Sequence, residues 1–297
     1  MRVCVVTGSN VGIGFGMVKS LCKKFKGDVF MTALTEEDGL IAQEKLAMEG
    51  LKGSKLSVLD IRDESSIVSL RNLLSEKYGG LDVLINNAGV AFKPEDKHSF
   101  GEKATVTLET NYWGNKRCCE ILFPILRPGS RVVNMSSSCG FLGHIDRTNK
   151  SEEAAYLKAR LSAEDLTIPE LDEMMLEFER LAQTGNHRKV GWPDSTYVVS
   201  KIGLSALTRI QQRMFDSDER EDIVVNHVHP GYVPTFLTGY KGNMTIEQGA
   251  APGVFAALLP PHTLIKGKYI WKDFSIVDWA KGPAPNSSSV SGKLVMP

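Results

Sequence analysis

Thr7 to Gly14, TGSNVGIG, follows directly on the apolar run RVCVVT (2–7). Its three glycines, Gly8, Gly12 and Gly14, are not spaced as GxGxxG. After a buried strand, glycines let the backbone turn sharply and approach a pyrophosphate, whose charge is then held at the next helix N-terminus. The bland alternative is a tight turn packed with small residues. Beyond the loop, Ile13, Met17, Val18, Leu21 and Phe25 recur at helical spacing over 12–25. The chain therefore opens as strand, glycine loop and helix.

Working outward, the same rhythm repeats. DVFMTA (28–33), KLSVLD (55–60), LDVLIN (81–86), RVVNMS (131–136) and DIVVNHV (222–228) read as strands. Helical patterns cover 38–50, 64–78, 99–126 with an end near Pro124, 195–215 and 247–258. Strands without polar alternation are buried on both faces, as a parallel sheet with helices on each side requires. The expectation is one doubly wound, Rossmann-type α/β domain over residues 1–282. Ligands of such sheets bind at the carboxyl ends of the strands. The unusual residues fall there: Gly8 after the first strand, Asp60 at the third, Asn86, Asn87 and Gly89 after the fourth. Ser136 and Ser137 follow the fifth, and Pro230 and Gly231 the sixth.

One segment breaks the rhythm. Ser137 and Tyr197 stand 60 positions apart, where a strand-to-helix connection needs only a handful. The insertion, about 140–192, carries its own helix signals. Thr167-Ile168-Pro169-Glu170 has capping-box spacing, with Thr167 as N-cap and Glu170 reaching back. Leu171, Met174, Met175, Phe178 and Leu181 then form an apolar stripe. A folded helical excursion is expected, and a loose tail over 283–297, where Pro, Ser, Gly and Asn accumulate.

Lysine plus arginine number 35 and aspartate plus glutamate 35, so the formal net charge is zero. That balance points to no nucleic acid and no anionic membrane as partner. The chain enters its first strand with no charged and apolar leader, and no run approaches 18 apolar residues. A cytoplasmic protein is expected. Its five cysteines form no CxxC pair, consistent with a reducing compartment. Adjacent Cys118 and Cys119 read as packing residues.

Tyr197-Val198-Val199-Ser200-Lys201 places a phenol and an ammonium on one helix face. A tyrosine with a pKa of about 10 exchanges protons poorly near neutrality. A nearby lysine cation favours the phenolate, and a shift of about three units needs roughly 4 kcal/mol. Alone, YxxxK arises often by chance. Here it follows, in order, TGxxxGxG, NNAG (86–89), Asn111 and Ser137, and precedes the Pro230-Gly231 turn.

That ordered set resembles the short-chain dehydrogenase/reductase family over roughly residues 1–275. The long serine-to-tyrosine insertion, GGLDVLINNAGVAF (79–92) and GWPDSTYVVSKIG (191–203) narrow the likeness to its monomeric carbonyl reductases. In that branch the inserted helices cover the face that other members use to form tetramers. The resemblance implies a monomer reducing ketones, aldehydes or quinones with NADPH. Tyr197 would be the general acid, Lys201 would lower its pKa and hold the nicotinamide ribose, and Ser137 would polarise the substrate oxygen. Asn111 would fix a water linking Lys201 to solvent. Gly8, Asn10, Gly12, Ile13 and Gly14 would line the pyrophosphate, Asp60 and Ile61 the adenine, and Asn87 the adjoining ribose. Val233 and Thr235 would meet the nicotinamide amide. Phe92, His229 and Tyr232 would line the substrate pocket beside Ser137 and Tyr197.

Two positions depart from the family pattern. NADPH-using members usually carry a basic residue in the glycine loop and an arginine after the second strand. Here those positions are Val11 and Leu34, followed by Glu36, Glu37 and Asp38, which repel a phosphate. NADH-using members tend to end that strand with aspartate, and here it is Ala33. NADPH remains the expected cofactor by branch, NADH stays open, and Thr35, Asn10 and Arg62 are candidates to compensate. His227 and His229 alternate onto one strand face without an evident third ligand, so no metal is expected. A non-catalytic cofactor sensor is the competing reading, and physiological alcohol oxidation uses the same residues.

Overall fold

The second strand of the sheet shows how the whole is built. DVFMTA forms β2 (Asp28–Ala33), buried from its second residue on. It lies between β1 (Val3–Val6) and β3 (Ser54–Val58), parallel to both. With apolar neighbours on either side, its peptide groups are satisfied in the ladder and its side chains enter cores on both faces. The computed structural model describes residues 1–51, 53–93, 95–148 and 150–282. The expected tail, 283–297, lies outside the described residues.

The chain continues through β4 (Leu81–Asn86), β5 (Leu126–Met135) and β6 (Val224–Val228), all parallel. The eight strands run in the order β3-β2-β1-β4-β5-β6-β7-β8. Sequence reading missed the last two. β7 (Tyr269–Ile270) joins β6 in parallel, and β8 (Ile276–Val277) turns back antiparallel, so the sheet is not wholly parallel as expected.

Helices α1 (Gly12–Lys24), α2 (Glu36–Met48) and α3 (Glu64–Tyr78) follow the first three strands. The 99–126 pattern is not one helix. It divides into α4 (Phe100–Leu108), a π-helical turn (Glu109–Gly114), α5 (Asn115–Leu122) and a 3-10 turn that ends at Ile125. The insertion folds as α6 (His144–Thr148), α7 (Glu152–Ser162) and α8 (Ile168–Gln183). Leu171, Met175 and Phe178 of the expected stripe are buried. Thr167 caps α8 as expected, accepting from the Glu170 N–H, but the Glu170 carboxylate does not reach back. It pairs with Arg160 of α7 at 2.6 Å, a charged partner that wins over the cap N–H. α9 (Thr196–Asp216) and α10 (Ile246–Ala257) complete the helices.

Three apolar clusters result. α1 and α10 cover one sheet face, α3 and α5 share the other, and α4, α7, α8 and α9 form the third with Tyr269, Trp271 and Trp279. Cys118 and Cys119 are fully packed within the second cluster.

Candidate active site

The glycine loop is shaped by contact with the turn after β4. Gly8 has φ +55°, and a Cβ there would stand 2.9 Å from the Ala88 Cα. A Cβ on Gly14 would meet the Asn87 amide at 2.5 Å and the Gly8 carbonyl at 2.7 Å. Asn87 donates its side-chain N–H groups to the carbonyls of Thr7 (3.0 Å) and Gly8 (2.8 Å). The Thr7 hydroxyl accepts from the N–H groups of Asn87 (2.9 Å) and Ala88 (3.0 Å). Asn87 therefore braces the loop, a role beyond the ribose contact expected of it. Val11 precedes α1 without a side-chain cap, and no acidic residue sits in the first turn. The N–H groups around Gly12, Ile13 and Gly14 are thus left for an anion, with no Cβ at either glycine. Asn10 flanks them, half-buried. The cradle fits a dinucleotide pyrophosphate. Thr235 closes it from above, 3.4 Å from where a Cβ on Gly12 would lie, while Val233 beside it is buried.

At the adenosine side, Leu59 donates to the Ala33 carbonyl at 2.8 Å, so the chain beyond β3 runs beside that beyond β2. Leu34 is 62% exposed and Val11 60% exposed. Thr35 is occupied as N-cap of α2, accepting from the Asp38 N–H. Glu36, Glu37 and Asp38 form the first turn of α2, where negative charge favours the helix. Asp60 is gripped by Arg62 through two nitrogens, at 2.7 and 3.0 Å, and those bonds hold its carboxyl below the usual range. Ile61 turns its side chain inward against Gly114.

The catalytic candidates converge from three elements. Ser195 caps α9 through the Val198 N–H, placing Tyr197 in the first turn and Lys201 one turn later. The Lys201 ammonium donates to the Met135 carbonyl at 2.9 Å and lies 5.7 Å from the Tyr197 ring centre. The hydroxyl of Ser200 donates to the Tyr197 carbonyl and accepts from Asn111 at 3.1 Å. Asn111 lies in the π-helical turn, exchanging two hydrogen bonds with the Val90 backbone, at 2.8 and 2.9 Å. A Cβ on Gly89 would stand 3.1 Å from the Asn111 Oδ1 and 3.5 Å from the Lys201 Nζ. Glycine at 89 thus lets amide and ammonium close on the same spot.

Burial dominates the electrostatics of the tyrosine-lysine pair. Burial pushes the Tyr197 phenol well above its ordinary value, Cys139 adds to the rise, and a hydrogen bond with Ser137 pulls it partly back. Burial brings Lys201 itself down to about 8, because both charged forms lose water. His229 is packed and hydrogen-bonded beside the Ser137 turn. It is buried, its Nδ1 accepts from the Ser138 N–H at 2.8 Å, and its ring lies 4.2 Å from Trp271. Burial lowers its pKa to about 3, so its ring is neutral. Tyr232 stands half exposed, and the Phe92 ring lies tilted against His98, their centres 5.4 Å apart.

Sequence reading missed Asn115, whose amide donates to the carbonyls of Thr110 (3.1 Å) and Asn111 (3.0 Å), freed by the π turn. Its spacing four after Asn111 was the available signal. Tyr269, which donates to the Ser137 carbonyl, gave none.

Residues 2–149 match the model of the short chain dehydrogenase family. The chain is 40% identical to carbonyl reductase (NADPH) 3 of Rattus norvegicus, over 94% of this chain and 98% of that protein. The chain belongs to the short-chain dehydrogenase/reductase family. Carbonyl reductase (NADPH) 1 of the same organism is 44% identical over 87% of this chain and 91% of its own length. Among solved structures, salutaridine reductase from Papaver somniferum superposes with a TM-score of 0.79 at 29% identity, covering 91% of this chain and 99% of that one. The Rossmann-type sheet is the family's fold. Among the described residues no helix is long and apolar enough to cross a membrane.

Proposed function

We propose that this protein reduces ketone, aldehyde or quinone carbonyls to alcohols, using NADPH and Tyr197 as proton donor. One observation carries the reading. The phosphate cradle and the catalytic candidates are joined through successive residues, Ala88 against Gly8 and Gly89 against Lys201 and Asn111. When bound, the reduced nicotinamide supplies the hydride. The protein supplies the rest. Ser137 holds the carbonyl oxygen, and Tyr197, kept protonated by burial, gives it a proton. Lys201, with a pKa of about 8, exchanges protons near neutrality and would recover one from solvent through a water fixed by Asn111.

Val11 and Leu34 support a second element of the reading: discrimination between NADPH and NADH is weak, below about a hundredfold, or about 2.7 kcal/mol. A cofactor sensor is the alternative that the same two residues favour. We read the unit as one domain over 1–282 acting as a cytoplasmic monomer. α8 supports this by packing on α4, where the Thr105 hydroxyl donates to Glu179 at 2.7 Å. Titration of the purified chain with each cofactor, then absorbance of the reduced band against a carbonyl panel, tests the proposal. Turnover with NADPH is expected. Tight cofactor binding with no turnover of any carbonyl would establish the sensor instead.

A further inference from the structure

The turn that carries Ser137 is held by side chains from the C-terminal part of the sheet and the segment after it. The Tyr269 hydroxyl donates to the Ser137 carbonyl, an acceptor it shares with the Gly140 N–H at 2.7 Å. The Trp279 indole N–H donates to the Gly140 carbonyl at 2.6 Å. Between them, the Ser138 N–H donates to His229, and His144 stands 3.1 Å from the Ser138 carbonyl. One of these grips thus comes from β7 and another from the residues just after β8.

We propose that Tyr269 and Trp279 are positioning residues for Ser137, so that the C-terminal hairpin and the segment that follows it set the geometry of the carbonyl site. The inference rests on the catalytic role read for Ser137 above. Tyr269 is buried, paired with His227 in the sheet register, and its ring stacks on the His227 ring at 4.5 Å and 7°. Trp271 meets it edge-on at 5.6 Å. A ring clamped on two sides cannot swing, so its hydroxyl is aimed by the sheet itself. Packing alone would need only the ring. The hydroxyl adds a directed bond to the residue whose own hydroxyl restrains Tyr197. Small displacements of such a group cost large factors in rate.

Tyr269→Phe keeps the stack and removes that bond. Its kcat for carbonyl reduction is expected to fall about tenfold, with KM for the carbonyl and NADPH affinity unchanged. Combined with Ser137→Ala, it should add nothing to the loss that Ser137→Ala causes alone, because both act through one hydroxyl. Trp279→Phe, which frees Gly140, should show the same split and the same non-additivity, and serves if Tyr269→Phe fails to fold. Wild-type kcat in the folded variants, or losses that multiply with Ser137→Ala, would overturn the proposal. A wild-type chain that binds NADPH yet turns over no carbonyl would instead overturn the reading beneath it.

Discussion

The two ends of the cofactor cleft are built to different standards. At the nicotinamide end, Ser200, Lys201 and Asn111 are each tied by hydrogen bonds of 2.8–3.1 Å, and Gly89 lets them close together. At the end proposed for the adenosine, Leu34 and Val11 stand mostly in water, and the Arg62 guanidinium is spent on Asp60. A rate depends on the first kind of order. Cofactor choice depends on the second, and there the acids of α2 stabilise their own helix at the cost of a phosphate. The difference teaches that chemistry and cofactor selection are separable in one cleft, so each can be altered without the other.

The sharpest break is at the phenol. Tyr197→Phe should lower carbonyl turnover about a thousandfold while NADPH affinity stays within about twofold. Turnover that survives in the folded variant would contradict the assignment of Tyr197. Acid should strike the same end next. His227 and His229 have pKa values of about 3 in the fold against 6.5 for a free histidine. Depressed values mean the neutral rings are favoured by folding. That stability is present above about pH 6.5 and is lost as pH falls toward 3. Each contributes a loss of about 2 kcal/mol by pH 5. Both ring nitrogens of His227 lack partners, so His227→Phe should flatten the fall between pH 6.5 and 5 in denaturant titrations. An unchanged slope would place the acid sensitivity elsewhere. The smallest effect belongs to the adenosine end. Leu34→Arg offers a planar cation to the 2′-phosphate and should raise the NADPH-to-NADH affinity ratio about tenfold, with kcat unaltered. A drop in kcat of similar size would show that the ends are coupled.

Much of this was legible in the sequence, and where it was not the cause is local. β2, β4 and α3 follow their apolar patterns residue for residue, because buried strands and an amphipathic stripe leave the backbone little choice. The glycine loop, the tyrosine-lysine pair and Asn111 carry motif spacing and were found. The π-helical turn was not, since its extra residue satisfies neighbours far along the chain rather than any helical preference of ETNYWG. β7 and β8 are two residues each, too short for a period to show. The neighbours of His229 were not legible either, since alternation gives a face but not the Trp271 ring that packs against it.

The π turn also makes the site sensitive to chain length. An α-helix advances 100° per residue, and the one extra residue wound into Glu109–Gly114 is what lets α4 and α5 both keep their apolar sides inward. Deleting a single residue there would let the segment close as an ordinary helix. Either Asn111 or the whole of α4 would then be rotated by more than a quarter turn. The number of residues in this stretch is therefore as tightly set as the identity of Asn111 within it.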